Sequence, residues 1–361
     1  MRAKLIVNDV HLGVARASGT TDTTAKALRA YLQAKLREFI MQHTDKDLIF
    51  NGDVFDTFSV PMADVLEFYQ TTAEWLEKAD GLGRVILGMG NHDFAKDSSK
   101  MSSLEFVGRV LESQYGDHVK LVMAPELICP GIYMIPHVAN QDIFDLELSR
   151  ALNIEATYFL LHANYDNHFA VEADHSLNVT EAQAAALHKQ GKILIFGHEH
   201  QARHFEKIGV LCTGNQWPSS IADCLGNPKD RKQAFWIAPA SGGGAALTTW
   251  SADGAFVEVD WKQIADTPDT AQFVRVIGEA TAEQAADVIG IISKYRQKSS
   301  AFVVKNSVAI AGVQDMDDLP EAMEITKQFD VLAYLFEQLT EEQGATVKKL
   351  LAERELVEVL A

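Results

Sequence analysis

Five short apolar runs, each followed within a few residues by a cluster of aspartate, asparagine or histidine, constrain this chain more than any other feature. They are Lys4 to Val7, Leu48 to Phe50, Arg84 to Leu87, Tyr158 to Leu161 and Lys192 to Phe196. Apolar runs this short, bounded by polar turns, suit central strands buried on both faces. Between the first two, Leu28, Tyr31, Leu32, Leu36, Phe39 and Ile40 recur at helical spacing. Pro61 then opens a second helix carrying Val65, Tyr69, Thr72 and Leu76. Strand alternating with helix predicts an α/β sandwich. From Phe205 the pattern changes to short strands, Val210 to Thr213, Ala234 to Ile237, Ala246 to Trp250 and Phe256 to Val259, separated by Gly, Asn, Pro and Asp turns. These are expected to supply a second sheet.

At 361 residues the chain exceeds one ordinary domain. Thr267-Pro268-Asp269 marks a boundary, which closes a catalytic domain at 1–266. Phe273 to Ile277 and Ala301 to Val304 then flank a helix opened by a capping box at Thr281 and Gln284, a small β-α-β module at 267–312. Ala311 to Asp318 reads as an acidic linker into two helices at 313–361, the second opened by Thr340 and Gln343. Phe329, Leu332, Leu335, Phe336 and Leu339 form an apolar stripe there, fit either for the chain's own globular part or for a partner's groove.

The formal charge of -18 argues against gripping nucleic acid with the whole surface, because backbone affinity comes from Lys and Arg displacing counterions. Residues 311 to 361 hold twelve Asp and Glu against four Lys and Arg, so much of that acidity is local. No apolar run approaches the ~20 residues that span a bilayer, and Met1-Arg2-Ala3-Lys4 leads straight into a strand rather than a signal peptide. A cytoplasmic protein with no membrane partner is expected. Cys129, Cys212 and Cys224 are too scattered for a disulfide framework or a zinc knuckle and read as buried thiols.

The polar clusters at the strand ends are Asn8-Asp9-Val10-His11, Gly52-Asp53-Val54-Phe55-Asp56, Gly90-Asn91-His92-Asp93, Leu161-His162 and Gly197-His198-Glu199-His200. Carboxyl ends of strands are where α/β sheets place their sites. Two divalent ions need a shared carboxylate plus separate nitrogen and oxygen donors, and these residues supply them. An extended backbone projects residues i and i+2 to one side, so Asp9 is expected to face a pocket with His11, and His198 with His200. Gly52, Gly90 and Gly197 allow tight turns beside the donors. Any one fragment alone is more often a turn with a satisfied polar residue; five in order at strand ends reverse that balance. Asn164, Asp166 and His168 are alternative donors to His162. His43, His118, His137, His175, His188 and His204 lie outside the motifs and read as ordinary histidines.

In order and type the five clusters resemble the signature of the calcineurin-like metallophosphoesterases, D-x-H, G-D-x-x-D, G-N-H-[DE], H and G-H-x-H, with every position filled. The resemblance implies an α/β/β/α four-layer sandwich holding two divalent ions, manganese ahead of magnesium. Asp9, His11, Asp53 and His200 would hold one ion, and Asp53, Asn91, His162 and His198 the other, with Asp53 bridging. His92 is similar to the family's non-ligand histidine, which protonates the leaving group while Asp56 holds its other nitrogen. Water activated between the ions would be the nucleophile. Two divalent ions against the carboxylates Asp9 and Asp53 leave a local excess of about +2, which reconciles an anionic substrate with an acidic chain.

His11-Leu12-Gly13 and Gly52-Asp53-Val54-Phe55-Asp56-Thr57 look like the SbcD branch, the bacterial and phage exonucleases related to the meiotic-recombination nuclease. Val210-Leu211-Cys212-Thr213-Gly214 resembles that branch's strand and Gly-Ser/Thr-Pro turn, from which Asn215-Gln216-Trp217 departs. This resemblance implies a DNA exonuclease or endonuclease of recombination and repair. The β-α-β module would cap DNA, the terminal helices would bind an SbcC-type coiled-coil ATPase, and the protein would be a homodimer. Rival readings are a protein or nucleotide phosphatase, which should lack the capping module, and a non-catalytic scaffold, which usually loses metal ligands.

Overall fold

The computed structural model describes residues 2–14, 21–94, 99–167, 176–220, 223, 233–237, 245–249 and 254–310. All five expected central strands form: β1 (Lys4–Val7), β2 (Asp47–Asn51), β3 (Val85–Gly88), β7 (Ala156–His162) and β10 (Ile193–Gly197). Around them lie β4 (Val119–Val122), β5 (Glu126–Cys129), β6 (Gly131–Ile135), β11 (Arg203–Phe205), β12 (Val210–Cys212), β13 (Gln233–Ile237) and β14 (Ala245–Thr249). One six-stranded sheet has the order β14-β13-β1-β2-β3-β4, the other β11-β12-β10-β7-β6-β5. Within them β1 to β4 are parallel, as are β6, β7, β10 and β12. Each parallel set therefore delivers its carboxyl ends, and the loops that follow, to one edge of its sheet.

Alternation along the strands sorts the core. Ile6, Ile49, Ile86 and Val122 from the first sheet share a buried cluster with Ile132, Met134, Leu160 and Ile195 from the second, so the sheets pack face to face. Their neighbours Leu5, Val7, Phe50 and Leu87 point the other way, onto α1 (Asp22–Met41), α2 (Met62–Lys78) and α3 (Ser103–Tyr115). Phe159, Leu161 and Phe196 likewise pack on α4 (Gln141–Ala151) and α5 (Glu181–His188). Each fully buried aliphatic or aromatic side chain contributes about 1.5–3 kcal/mol, which fixes strand register because a slip of one residue would exchange the two faces. The result is the α/β/β/α order that the sequence implies. Side-chain caps start the helices: Ser102 accepts from Glu105 N at 3.0 Å, Asn140 from Ile143 N at 3.0 Å, and Thr180 forms a capping box with Gln183.

The four short strands after Phe205 do not form the second sheet. β12 joins the β7 and β10 sheet, β13 extends the first sheet antiparallel to β1 with β14 antiparallel beyond it, and the fourth, β15 (Phe256–Asp260), lies in a third sheet. Short apolar runs carry no information about which edge they complete; pairing is chosen by whichever edge lies exposed nearby. The third sheet has the order β15-β16-β17, with β16 (Phe273–Ala280), α6 (Ala285–Lys298) and β17 (Phe302–Ile310) forming the β-α-β unit, and the expected Thr281–Gln284 capping box is present. Phe273 stacks on Phe256 at 4.7 Å between ring centres and meets Tyr31 of α1 edge-on at 5.7 Å.

The chain divides into two units, Met1–Ile277 with Ile291–Ser307, and Gly278–Gly290 with Val308–Ala361. The helices expected at 313–361, with their apolar stripe and the Thr340–Gln343 box, lie outside the described residues, as do His168, His175 and Cys224. Cys212 is buried and Cys129 half-buried, both as free thiols. Among the described residues no helix is long and apolar enough to cross a membrane.

Candidate metal centre

Each motif sits where a strand ends. Asp9 and His11 follow β1, Asp53 follows β2, Asn91 and His92 follow β3, His162 closes β7, and His198 and His200 follow β10. The extended-backbone account of the D-x-H and H-x-H spacing does not hold. Asp9 (φ 47°), His11 (φ 53°), Asp53 (φ 48°) and His198 (φ 81°) are left-handed, so the chain kinks at the donors instead of running straight through them. A non-glycine residue in such a region costs of order 1–3 kcal/mol and persists only where its surroundings over-determine it.

Those surroundings are hydrogen bonds between the loops. His11 N donates to the Asp53 carbonyl at 3.0 Å, Leu12 N to Val54 at 2.8 Å and Asp56 N to Leu12 at 2.9 Å, which continues the β1–β2 ladder past the strand ends. His198 N donates to both Asp9 oxygens at 2.9 and 3.1 Å. Asp93 is buried and accepts from Gly90 N at 3.1 Å and from Val54 N and Phe55 N at 3.3 Å, tying the second and third motifs together. Glu199 accepts from Tyr165 N at 2.6 Å and Arg203 Nε at 2.7 Å, which anchors the His198–His200 loop beside the residues after His162. Gly52 has φ +90° and leaves its Cβ position to the His162 ring; Gly90 leaves its own to the Asp53 carboxylate.

The seven expected ligands converge. Donor atoms of Asp9, His11 and Asp53 lie within 4.8 Å of one another, as do those of Asp53, His162 and His198, so Asp53 belongs to both groups. Asn91 Oδ1 stands 2.9 Å from His162 Nε2 and 2.9 Å from His198 Nδ1, while His11 Nε2 stands 2.9 Å from His200 Nε2. Asp9, His11, Asp53 and His162 are buried, and Asn91, His92, His198 and His200 form the half-exposed rim. Among the described residues, that rim is the side of the centre open to a substrate.

Two histidines are oriented through a hydrogen bond at Nδ1, and a third has its Nδ1 beside a carboxylate without one. His162 donates to the Asn51 carbonyl at 2.9 Å, His200 to Asp223 Oδ1 at 2.8 Å, and His11 Nδ1 lies 3.4 Å from Asp56 Oδ1. Each Nε2 is thereby turned inward as a lone-pair donor, the usual device of histidine ligands. His11 Nε2 and His200 Nε2 face each other at 2.9 Å, close enough for one cation to take both. The residues fit a pair of divalent ions.

Without metal the charges compensate one another. Burial and the adjacent Asp53 push Asp93 up to about 7, and burial also raises Asp9. For Asp53 burial is outweighed by His162, which holds the carboxyl well below its usual range. Burial would lower His162, but the Asp53 carboxylate overrides it and raises the imidazole to about 9.

Asp56 faces two histidines: its main-chain carbonyl accepts from His92 Nδ1, and its carboxylate lies 3.4 Å from His11 Nδ1, in one donor group with His11 and His92. His92 Nε2 lies 3.9 Å from Asp53 Oδ2. The alternative donor Asn164 lies in the short strand β8 (Asn164–Tyr165), paired with β9 (Asn178–Val179), and among the described residues Asp166 enters no donor group. His43, His118 and His188 bond to main-chain carbonyls, as ordinary histidines do. Where Asn215-Gln216-Trp217 departs from the branch's turn, Asn215 N donates to the His200 carbonyl at 3.3 Å and Gln216 N to Asn8 at 3.0 Å, so the turn still braces both metal loops.

Sequence reasoning missed the bracing roles of Asp93 and Asp223. Asp93 carried a signal as the last residue of its motif. Asp223 carried none, since it reaches His200 across 23 residues with no local pattern. The family described as calcineurin-like phosphoesterase matches residues 4–202, which include every donor named here except Asp223. No curated protein matches the chain.

Proposed function

From the premise that this chain belongs to the calcineurin-like phosphoesterases, we propose that it hydrolyses DNA phosphodiesters as the nuclease subunit of an SbcC-SbcD-type complex. The observation that carries the two-ion reading is Asp53, whose carboxylate serves both donor groups. Asp9, His11, Asp53 and His200 would hold one divalent ion, and Asp53, Asn91, His162 and His198 the other, manganese being the ion of choice. When bound, the pair supplies Lewis acidity and an activated water for in-line displacement. His92 then acts on the leaving side. Its Nδ1 donates to the Asp56 carbonyl, which leaves Nε2, on the half-exposed rim, to pass a proton to the departing oxygen.

DNA is favoured over a phosphomonoester by the SbcD-like motifs around His11 and Asp53 and by the β16-α6-β17 unit in the place of a capping domain. A homodimer is supported by neighbouring helices that expose apolar side chains: Met62 and Leu66 on α2, and Phe106 and Val110 on α3. Their N-termini are joined by the bond from Val60 N to Ser103 Oγ at 3.1 Å. The acidic, apolar-striped residues 313–361 suit a protein partner, an SbcC-type ATPase, better than DNA. Purified protein supplied with manganese should cleave labelled single- or double-stranded DNA faster than phosphotyrosine peptide or nucleotide monophosphates. Faster monoester hydrolysis would replace this reading with a phosphatase.

A further inference from the structure

The loops that carry His162 and His198 are joined by a link that runs through side chains. The register of β7 against β10 ends at the pair His162 and Gly197. Beyond it His198 turns off with φ 81°, while the chain after His162 continues into β8. Asn164 N donates to the Leu177 carbonyl and Asp166 N to the Val179 carbonyl, both at 2.8 Å, so residues 164 and 166 face β9. Tyr165 lies between them, and its main-chain N–H and carbonyl point to the opposite side, where β10 has already turned away. Tyr165 is buried, so both groups need partners that the strand no longer supplies.

Glu199 and Arg203 supply them. Glu199 Oε1 accepts from Tyr165 N at 2.6 Å, Arg203 Nη2 donates to the Tyr165 carbonyl at 2.6 Å, and Arg203 Nε closes the ring by donating to Glu199 Oε2 at 2.7 Å. The guanidinium also lies 5.7 Å from the ring centres of both Tyr165 and Phe205, which favours one orientation of its plane. A rigid fork of donors meets a carbonyl and a carboxylate at once, which a single ammonium cannot do. His200, in the same loop, is held by other groups: its Nδ1 donates to Asp223 at 2.8 Å and its carbonyl accepts from Asn215 N at 3.3 Å. The His162 and His198 ring centres are 5.4 Å apart, and each ring has a nitrogen 2.9 Å from Asn91 Oδ1. A shift of either loop against the other therefore opens that donor group and leaves the one around His200 in place.

We propose that Arg203, acting through Glu199, is a positioning residue for the ion held by Asp53, Asn91, His162 and His198, because it sets the span between His162 and His198. The proposal rests on the two-ion reading of the centre and is independent of the substrate assigned to it.

Manganese titration of the chelator-stripped full chain, followed by calorimetry and by the paramagnetic-resonance spectrum of the exchange-coupled ion pair, reads the ions without reference to activity. Arg203→Met should weaken one ion about tenfold, the low end for a partner that orients a metal ligand, with the other within about threefold. The coupled spectrum should then appear only at correspondingly higher manganese. Arg203→Lys, which keeps the charge but loses the fork, should fall between parent and Arg203→Met. Asp223→Asn acts on His200 and should strike the other ion, so combining it with Arg203→Met should weaken both. Equal weakening of both ions by Arg203→Met, or of neither, overturns the proposal. If Arg203→Met does not unfold cooperatively in EDTA, Arg203→Lys carries the test, and parent affinity at both ions in that variant overturns it. Fewer than two manganese ions in the parent would overturn the two-ion reading and this proposal together; two in the parent, unmoved in the variants, overturn this proposal alone.

Discussion

Asp223→Asn tests the architecture of the metal centre most directly, because it removes one charge and keeps the shape. Asp223 Oδ1 accepts from His200 Nδ1 at 2.8 Å, and Oδ2 accepts from Ser219 N at 2.8 Å and from Ser219 Oγ and Ser220 N at 3.0 Å. An amide has one acceptor oxygen for these donors. If the oxygen turns to His200, the NH2 opposes two main-chain N–H groups. If it turns to the serines, the NH2 faces Nδ1 and drives His200 to the tautomer with Nε2 protonated, which cannot coordinate. Partners of this kind are worth 10 to 100-fold in metal affinity, about 1.4–2.7 kcal/mol. Titrating manganese into chelator-stripped protein should show that loss at one ion only, with the ion on Asn91, His162 and His198 little changed. Both affinities within about threefold of the parent, with an unchanged circular-dichroism spectrum, would refute the orienting role. The same substitution should flatten the acid limb of stability. Burial would raise the Asp223 carboxyl, but its bond to His200 holds it well below the usual carboxylate range. A depressed folded pKa contributes stability that is present above the unfolded value of about 3.9 and is lost as pH falls.

Protons should compete with metal at His162, whose folded value of about 9 in the metal-free protein means that coordination displaces a proton at neutral pH. Calorimetry should find affinity rising with pH up to about 9, and a flat profile from pH 6 to 9 would contradict it. Asp53→Asn or His198→Ala should abolish hydrolysis of a simple nitrophenyl diester while leaving thermal unfolding cooperative; full activity with added manganese would remove them from the ligand set. His92→Ala should keep metal affinity yet lose about 10² to 10⁴-fold in rate on DNA, with a smaller loss on nitrophenyl esters that need no proton; equal losses on both would reject the leaving-group role. Deleting residues 317–361 should abolish capture of an SbcC-type ATPase but spare cleavage of short single strands, and aggregation of the truncated protein would instead assign the tail to the chain's own core.

The sequence alone determined the layers and the candidate donors. Short apolar runs such as Leu48 to Phe50, bounded by polar turns and alternating with helices, suit central strands, and the polar residues that follow such a run lie at its end, where parallel strands gather their loops. The family's ordered motif, carried by residues that are local in sequence, then picked out the seven candidate donors from Asp9 to His200 that the fold gathers at the strand ends. Tertiary structure alone decided what depends on contacts between distant segments. β13 and β14 went to the first sheet and β15 to the third because edge pairing is chosen by geometry, which a four-residue apolar run does not encode. The left-handed turns at Asp9, His11, Asp53 and His198 exist only because neighbouring loops hold them. Asp56 faces two histidines at once, its main-chain carbonyl meeting His92 and its carboxylate standing beside His11, a division that only the folded loops decide. Asp223 had no motif to betray it: a carboxylate 23 residues beyond His200 acquires its role when the fold closes the distance to 2.8 Å, and hydrogen bonding acts over ångströms in space, not over positions in a chain.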